Sequence, residues 1–296
     1  MSVELDGLDG RNPMAYFAAV GTLIVADRML PNHGTGLSWR RGPIPRPVLH
    51  GVASLDELTA IIESDRKAWT NAMALTFEGA DDVKFDAAAQ RRYLRACRGA
   101  DDGGRSVGLA AALLAEGVFA GKGDGKPTDL HFTAGQQRFL ASAREVMRQV
   151  SVNDLNECLV GPWKYDRQVK TLGWDVSDDR VYALTIANPA KEVKLTVPGA
   201  DWLALMGLVA FPVVADGSSS SPAGSTGSWK HGAFTWGVWS EPLGAASVRA
   251  LLANGWSESV RRARVGLFQQ FQSAIRRSEQ GGYGSFGPSS VVWQEP

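Results

Sequence analysis

The chain of 296 residues predicts an α+β protein: a mostly helical N-terminal half and a mixed strand/helix C-terminal half. Three observations carry that expectation. Apolar residues at three- and four-residue spacing dominate residues 1–150. Runs of β-branched and aromatic residues between Gly, Pro, Asp and Asn breakers dominate residues 151–296. Hydrophobic residues make up 44% of the chain at zero formal net charge, a composition that buries a core. The two regions expected are therefore 1–150, mainly helical, and 151–296, mixed β/α.

Along the first region, Val3, Leu5 and Leu8 mark a short first strand. Asn12 is an N-cap and Pro13 the first residue of a helix to about Met29, because a proline at that position gives up only an N–H that has no partner. Tyr16, Phe17, Val20, Leu23 and Ile24 form its apolar stripe, and Ala18, Ala19 and Gly21 admit a close neighbour, so this is a central core helix. Leu37 to Arg41 reads as a strand, followed by an extended connector through Pro43, Pro45 and Pro47. Ser54 and Glu57 form a capping box for a helix to about Trp69. Further helices are expected over 86–98, 107–119 and 134–150.

The character changes at Gly161-Pro162. Segments 165–174, 180–186 and 192–197 are expected strands, 201–209 a helix and 211–214 a strand. The Ser/Gly-rich stretch 216–228 has almost no apolar side chain and is expected to be a mobile loop. Phe234, Trp236 and Val238 share one face of an expected strand, and 243–254 is an expected helix closed by Gly255. Residues 259–277 fit both periods, and the balance leans to helix.

Composition excludes several classes. Lys plus Arg (31) equals Asp plus Glu (31), with 18 of each sign over residues 1–150 and 13 over 151–296, so no basic arm or acidic tail is present. Cys97 and Cys158 fit no disulfide scaffold or zinc spacing. No apolar run reaches membrane-spanning length and the first residues are acidic, which reads as a cytoplasmic chain with no membrane contact. Four histidines, His33, His50, His131 and His231, supply no ligand pairing, and no cofactor or metal is expected. Cys97 lies on an arginine-rich helix, Arg91, Arg92, Arg95 and Arg98, but lacks a His partner and reads as a passive thiol. The loop Gly121 to Thr128 fails the phosphate-loop pattern, since Ala120 replaces its first glycine and Pro127 follows Lys126. A looser contact of Lys122 and Lys126 with a nucleic-acid backbone is the better reading.

The expected nucleic-acid contact is C-terminal. Arg261, Arg262, Arg264, Arg276 and Arg277 form a basic run with no acid between them, and the Gly-aromatic segment containing Tyr283 and Phe286 follows it. Guanidinium groups, stacking rings and a flexible backbone together suit a single strand. Of ten tryptophans, eight lie in the second half, most of them expected in the core.

The opening Leu8-Asp-Gly-Arg-Asn12-Pro13-Met-Ala-Tyr-Phe17-Ala-Ala-Val-Gly21 resembles the start of CRISPR-associated subunits of type I-G (formerly I-U) systems. His131 to Leu140, Gly161 to Asp166, Leu172 to Asp175 and Pro198 to Trp202 are similar to segments of proteins from such loci, either large-subunit-like or of an extension family beside the helicase-nuclease. The resemblance implies a non-catalytic subunit of a type I effector in antiviral defence. Its partners would be other CRISPR effector subunits and guide RNA or target DNA. Two alternatives stand beside it: a metal-dependent nuclease with a dispersed site built from Asp175, Asp178, Asp179 and His131, and a protein-only scaffold.

Overall fold

The computed structural model describes residues 1–120, 123–133, 137–178, 194–216, 219–227, 231–254, 263–277 and 284–295. Strand β1 (Ser2–Glu4) leads through a turn into helix α1 (Pro13–Met29). The Asn12 side-chain oxygen accepts from the amides of Met14 (2.9 Å) and Ala15 (3.4 Å), so the helix begins where the Asn-Pro pair predicts. β2 (Gly36–Arg40) and β3 (Arg46–His50) follow, and β3 lies between β1 and β2 in an antiparallel sheet with Leu49 opposite both Val3 and Leu37. The proline-rich connector is therefore partly a strand: Pro47 sits in β3.

Helix α2 (Leu55–Ala68) starts at Ser54, whose hydroxyl accepts from the Glu57 amide, while the Glu57 carboxylate reaches back to the Ala53 amide. A short α3 (Met73–Thr76), α4 (Ala87–Gly99) and α5 (Arg105–Leu113) continue the helical region. The helix expected over 107–119 ends at Leu113. Residues 114–119 form β4 (Leu114–Phe119), which pairs with β5 (Gly125–Pro127), and Gly117 at φ +82° lies outside helical space. Helix α6 (Phe139–Gln149) begins later than the sequence expectation of residue 134.

Helix α7 (Val152–Val160) opens with a capping box of Ser151 and Asp154. The stretch 165–174 is not the expected strand. It runs irregularly, with one isolated β-bridge, Arg167 to Thr196, among the described residues, and 180–186 lies outside the described residues. Helix α8 (Pro198–Leu208) is buried along its whole length, as is α1 from Pro13 to Ala26. The two cross through glycine: a Cβ on Gly21 would stand 1.8 Å from the Leu203 carbonyl oxygen, and one on Gly207 2.0 Å from that of Phe17. The small residues of α1 admit this close neighbour, but the helix is buried on every face rather than along one stripe.

Next come β6 (Val213–Asp216), β7 (Ser219–Pro222), β8 (Ser225–Gly227) and β9 (Gly232–Trp239). Where composition predicted a mobile loop over 216–228, β7 pairs with β6 and β8 with β9. The organising force is backbone pairing rather than apolar area: the Gly224 carbonyl accepts from the Thr235 amide, and a Cβ on Gly224 would meet the Thr235 oxygen at 2.6 Å. Helix α9 (Ala245–Asn254) precedes β10 (Leu267–Arg277), β11 (Gly284–Phe286) and β12 (Ser290–Gln294). The lean to helix for 259–277 is thus overturned over 267–277, and 259–262 lies outside the described residues. The two-residue alternation of Phe271, Ser273 and Ile275 inward wins because β9 pairs along nearly the whole of β10, with Trp236 opposite Phe271. β11 and β12 pair with the other edge of β10.

One hydrophobic core runs across residue 150, from Val3 and Leu5 through both buried helices to Ile275 and Phe286. Trp174, Trp202, Trp236 and Trp239 are fully buried in it. Below it, the fully buried carboxylate of Asp65 takes Arg28, Arg105 and the Trp69 indole N–H. Among the described residues no helix is long and apolar enough to cross a membrane.

Candidate nucleic-acid interface

The structure separates the residues of the predicted basic run. Arg261, Arg262, Lys122 and Tyr283 lie outside the described residues. Arg264 is exposed just before β10, and Arg276 is exposed with its side chain lying over Gly287. Arg277 turns inward. It donates to the backbone oxygens of His131 and Asp129 and covers the Phe132 ring at 5.3 Å, and burial lowers its pKa to about 10 against the pull of Asp129. It clamps the 129–132 segment to β10, which commits two of its nitrogens to the protein's own carbonyls. Phe286 is also reassigned: it is fully buried against Phe17, Phe132 and Phe234, so its ring has no face for a base. Lys126 is half-buried in β5.

The groups of the nuclease alternative are likewise held apart. His131 is buried, stacked on Phe139 and bonded to Asp82 at 2.9 Å, and burial holds its imidazole below the ordinary range. Asp175 is buried in a different set of bonds, described below, and Asp179 lies outside the described residues. Among the described residues no three His, Cys, Asp or Glu side chains converge as a metal-binding set. The Cys97 thiol is pushed up to about 12 by burial, which outweighs its bond to Tyr93, so the arginines of α4 do not activate it.

What the fold does assemble is an open groove of about 710 Å³. One wall is the turn from Asp6 to Asn12, leading into α1. The opposite wall is the chain leaving α7, Val160 to Tyr165, and Arg46 of β3, Val176, Pro288 and Ser289 complete the lining. Backbone contact brings the walls together. The Gly7 amide donates to the Leu159 carbonyl at 2.9 Å, and a Cβ on Gly7 would sit 2.3 Å from the Cys158 oxygen. Ser289 donates to the Arg11 carbonyl at 2.6 Å.

Asp175, which is not itself part of the lining, ties two lining residues together. Its carboxylate accepts from the Tyr165 hydroxyl (2.9 Å), the Ser177 amide (2.8 Å) and the Asn12 side-chain amide (3.5 Å). Tyr165 holds φ +53°, a left-handed backbone that a tyrosine rarely adopts and that the surrounding bonds must enforce. The Trp163 indole N–H donates to the Cys158 carbonyl at 3.1 Å, and the Trp163 and Tyr165 rings meet nearly edge to face, 6.1 Å apart at 68°. Both rings are half-buried.

Parts of two segments noted in the sequence, Leu8 to Gly21 and Gly161 to Asp166, thus line the groove, and a third, Leu172 to Asp175, reaches them through the Asp175 carboxylate. Sequence reasoning assigned no chemistry to Arg46, Trp163 or Tyr165. The signal available was the unusual Gly-Pro-Trp-Lys-Tyr-Asp string, but nothing in one dimension brings it against Asn12. A scan against protein-family models and a search of curated proteins returned no match to this chain.

Proposed function

We propose that this chain is a non-catalytic subunit of a CRISPR-type antiviral defence system, contacting nucleic acid and partner subunits of an RNA-guided complex. One observation carries the reading. Two of the five segments on which the resemblance rests line a single open groove, a third reaches it through Asp175, and their polar groups are spent on fixing two aromatic rings. Asp175, the buried carboxylate of the set, holds Tyr165 and the cap of α1 in place. A group so committed positions a recognition surface rather than presenting a base or a nucleophile to a substrate.

The test is purification of the tagged chain after co-expression with the genes that neighbour its own. Co-elution of RNA of defined length with partner subunits is the expected result. Recovery of the chain alone and free of RNA overturns the reading, and metal-dependent degradation of DNA by the isolated chain replaces it with the nuclease alternative.

A further inference from the structure

Both carboxylates that line the groove are already engaged, as is Asp175, which bonds to the lining. Asp9 pairs with Arg11 in a forked contact of 2.8–3.2 Å, Asp6 takes Arg40 at 2.8 Å, and Asp175 holds Tyr165, Asn12 and the Ser177 amide. Arg46 is different. It stands directly across the strand pair from Arg40, an arrangement of like charges that is unfavourable unless compensated. Compensation reaches Arg40, through Glu4 and Asp6, whereas the Arg46 guanidinium makes no hydrogen bond or ion pair among the described residues. The corner holds three arginines against four carboxylates, Glu4, Asp6, Asp9 and Asp175, so it is not positive in sum, and what Arg46 presents to the groove is one local cation outside those pairs.

The aromatic wall complements that charge. Trp163 and Tyr165 have their polar edges tied, the first to the Cys158 carbonyl and the second to Asp175, so what they offer a ligand is ring surface in a corner of 68°. The volume, about 710 Å³, falls in the range of sites for small ligands. A planar ring joined to an anion satisfies both features, and in a nucleic acid that unit is a base with its phosphate.

Resting on the function proposed above, we infer that this groove holds a nucleotide unit of a single-stranded nucleic acid, with the base against Trp163 and Tyr165 and its phosphate at Arg46. This relocates the strand contact from the C-terminal arginines, of which Arg277 is internal.

The test uses the full chain and a fluorescein-labelled oligouridine, with binding read by anisotropy over a salt series. Arg46→Gln is expected to weaken binding and to flatten the slope of log affinity against log salt by about 0.7, one phosphate contact. Trp163→Ala is expected to cost about tenfold to a hundredfold at unchanged slope, the loss of one stacked base, and that difference vanishes with an abasic oligomer. Wild-type affinity and slope in both variants overturn the groove assignment and leave the proposed function standing. Full competition by uridine monophosphate at the oligomer's own concentration overturns the strand in favour of a free nucleotide, and preferential binding of a proline-rich peptide overturns it in favour of a protein ligand. If the isolated chain binds no oligomer, the same substitutions made in the co-expressed complex decide: RNA content equal to wild type refutes the groove, and a complex that never holds RNA refutes both readings.

Discussion

Replacing Gly21 by Ala tests the crossing on which the fold depends. The added methyl would lie 1.8 Å from the Leu203 carbonyl oxygen and 2.7 Å from the Gly207 nitrogen, both backbone atoms that cannot rotate away. Relief requires α1 and α8 to separate by roughly 1 Å, and a gap of that size forfeits a quarter or more of each contact's dispersion energy. For only two side chains with about 40–60 contacts each, at ~0.1–0.2 kcal/mol per contact, a quarter amounts to about 2–6 kcal/mol. The better helix propensity of Ala returns about 1 kcal/mol. A net loss of about 3 kcal/mol follows, at the upper end of overpacking costs, with a fall in melting temperature of roughly 6–12 °C. Thermal and urea melts read it directly. Gly99→Ala, at the exposed end of α4 with no atom within 4 Å of the new Cβ, is the control and should be neutral or slightly stabilising. If Gly21→Ala melts within about 2 °C of the parent, the close crossing is not what holds the helices together.

Four further outcomes are expected. Asp65→Ala leaves Arg28 and Arg105, both largely buried, without their shared carboxylate, and should cost about 3–5 kcal/mol in a urea melt. Because burial lowers the His131 pKa below its ordinary 6.5, the unfolded chain binds the proton first as pH falls, so stability declines below about pH 6.5. His50 is lowered in the same window, so the contribution of His131 is read as the part of that decline, at most about 1.4 kcal/mol per pH unit, that His131→Gln removes. Arg277→Ala should cost about 2 kcal/mol of stability by freeing the Asp129 and His131 carbonyls, and should leave the salt dependence of nucleic-acid binding unchanged. Deletion of 219–224 strips β6 of its partner and the Thr235 amide of its acceptor, and should lower the melting temperature by more than about 4 °C; a smaller change would restore the view of this stretch as a dispensable loop.

Local signals were legible where the answer is local. Asn12-Pro13 marks the start of α1 because the cap and the missing amide act within one turn, and Ser54 marks α2 for the same reason. Phe234, Trp236 and Val238 announce β9 because a half-buried strand writes its face into every second residue. Segment 267–277 was misread because it carries both periods, and 114–119 because its strand is written in no alternation; the deciding hydrogen bonds come from β9 in one case and β5 in the other. The Ser/Gly stretch failed differently. Composition measures the apolar area that side chains can bury, whereas β7 and β8 are ordered through their backbones.

The groove was illegible for a reason that concerns charge. A sequence counts arginines but does not say which are neutralised, and a run of them attracts attention although folding can absorb its members, as Arg277 shows. Arg46 stands alone between Pro45 and Pro47, with no neighbouring cation and no motif. Its distinction arises only in three dimensions, where β3 sets it opposite Arg40 and where Glu4 and Asp6 reach Arg40 first. The two prolines contribute to this placement: Pro45 lends its carbonyl to the Gly10 amide on the facing wall and Pro47 lends its own to Leu5, so the turn that carries Asp9 and Arg11 is bonded to the strand that carries Arg46. Recognition in this corner therefore depends on which cation the local carboxylates leave over, and that is set by strand register rather than by the density of basic residues along the chain.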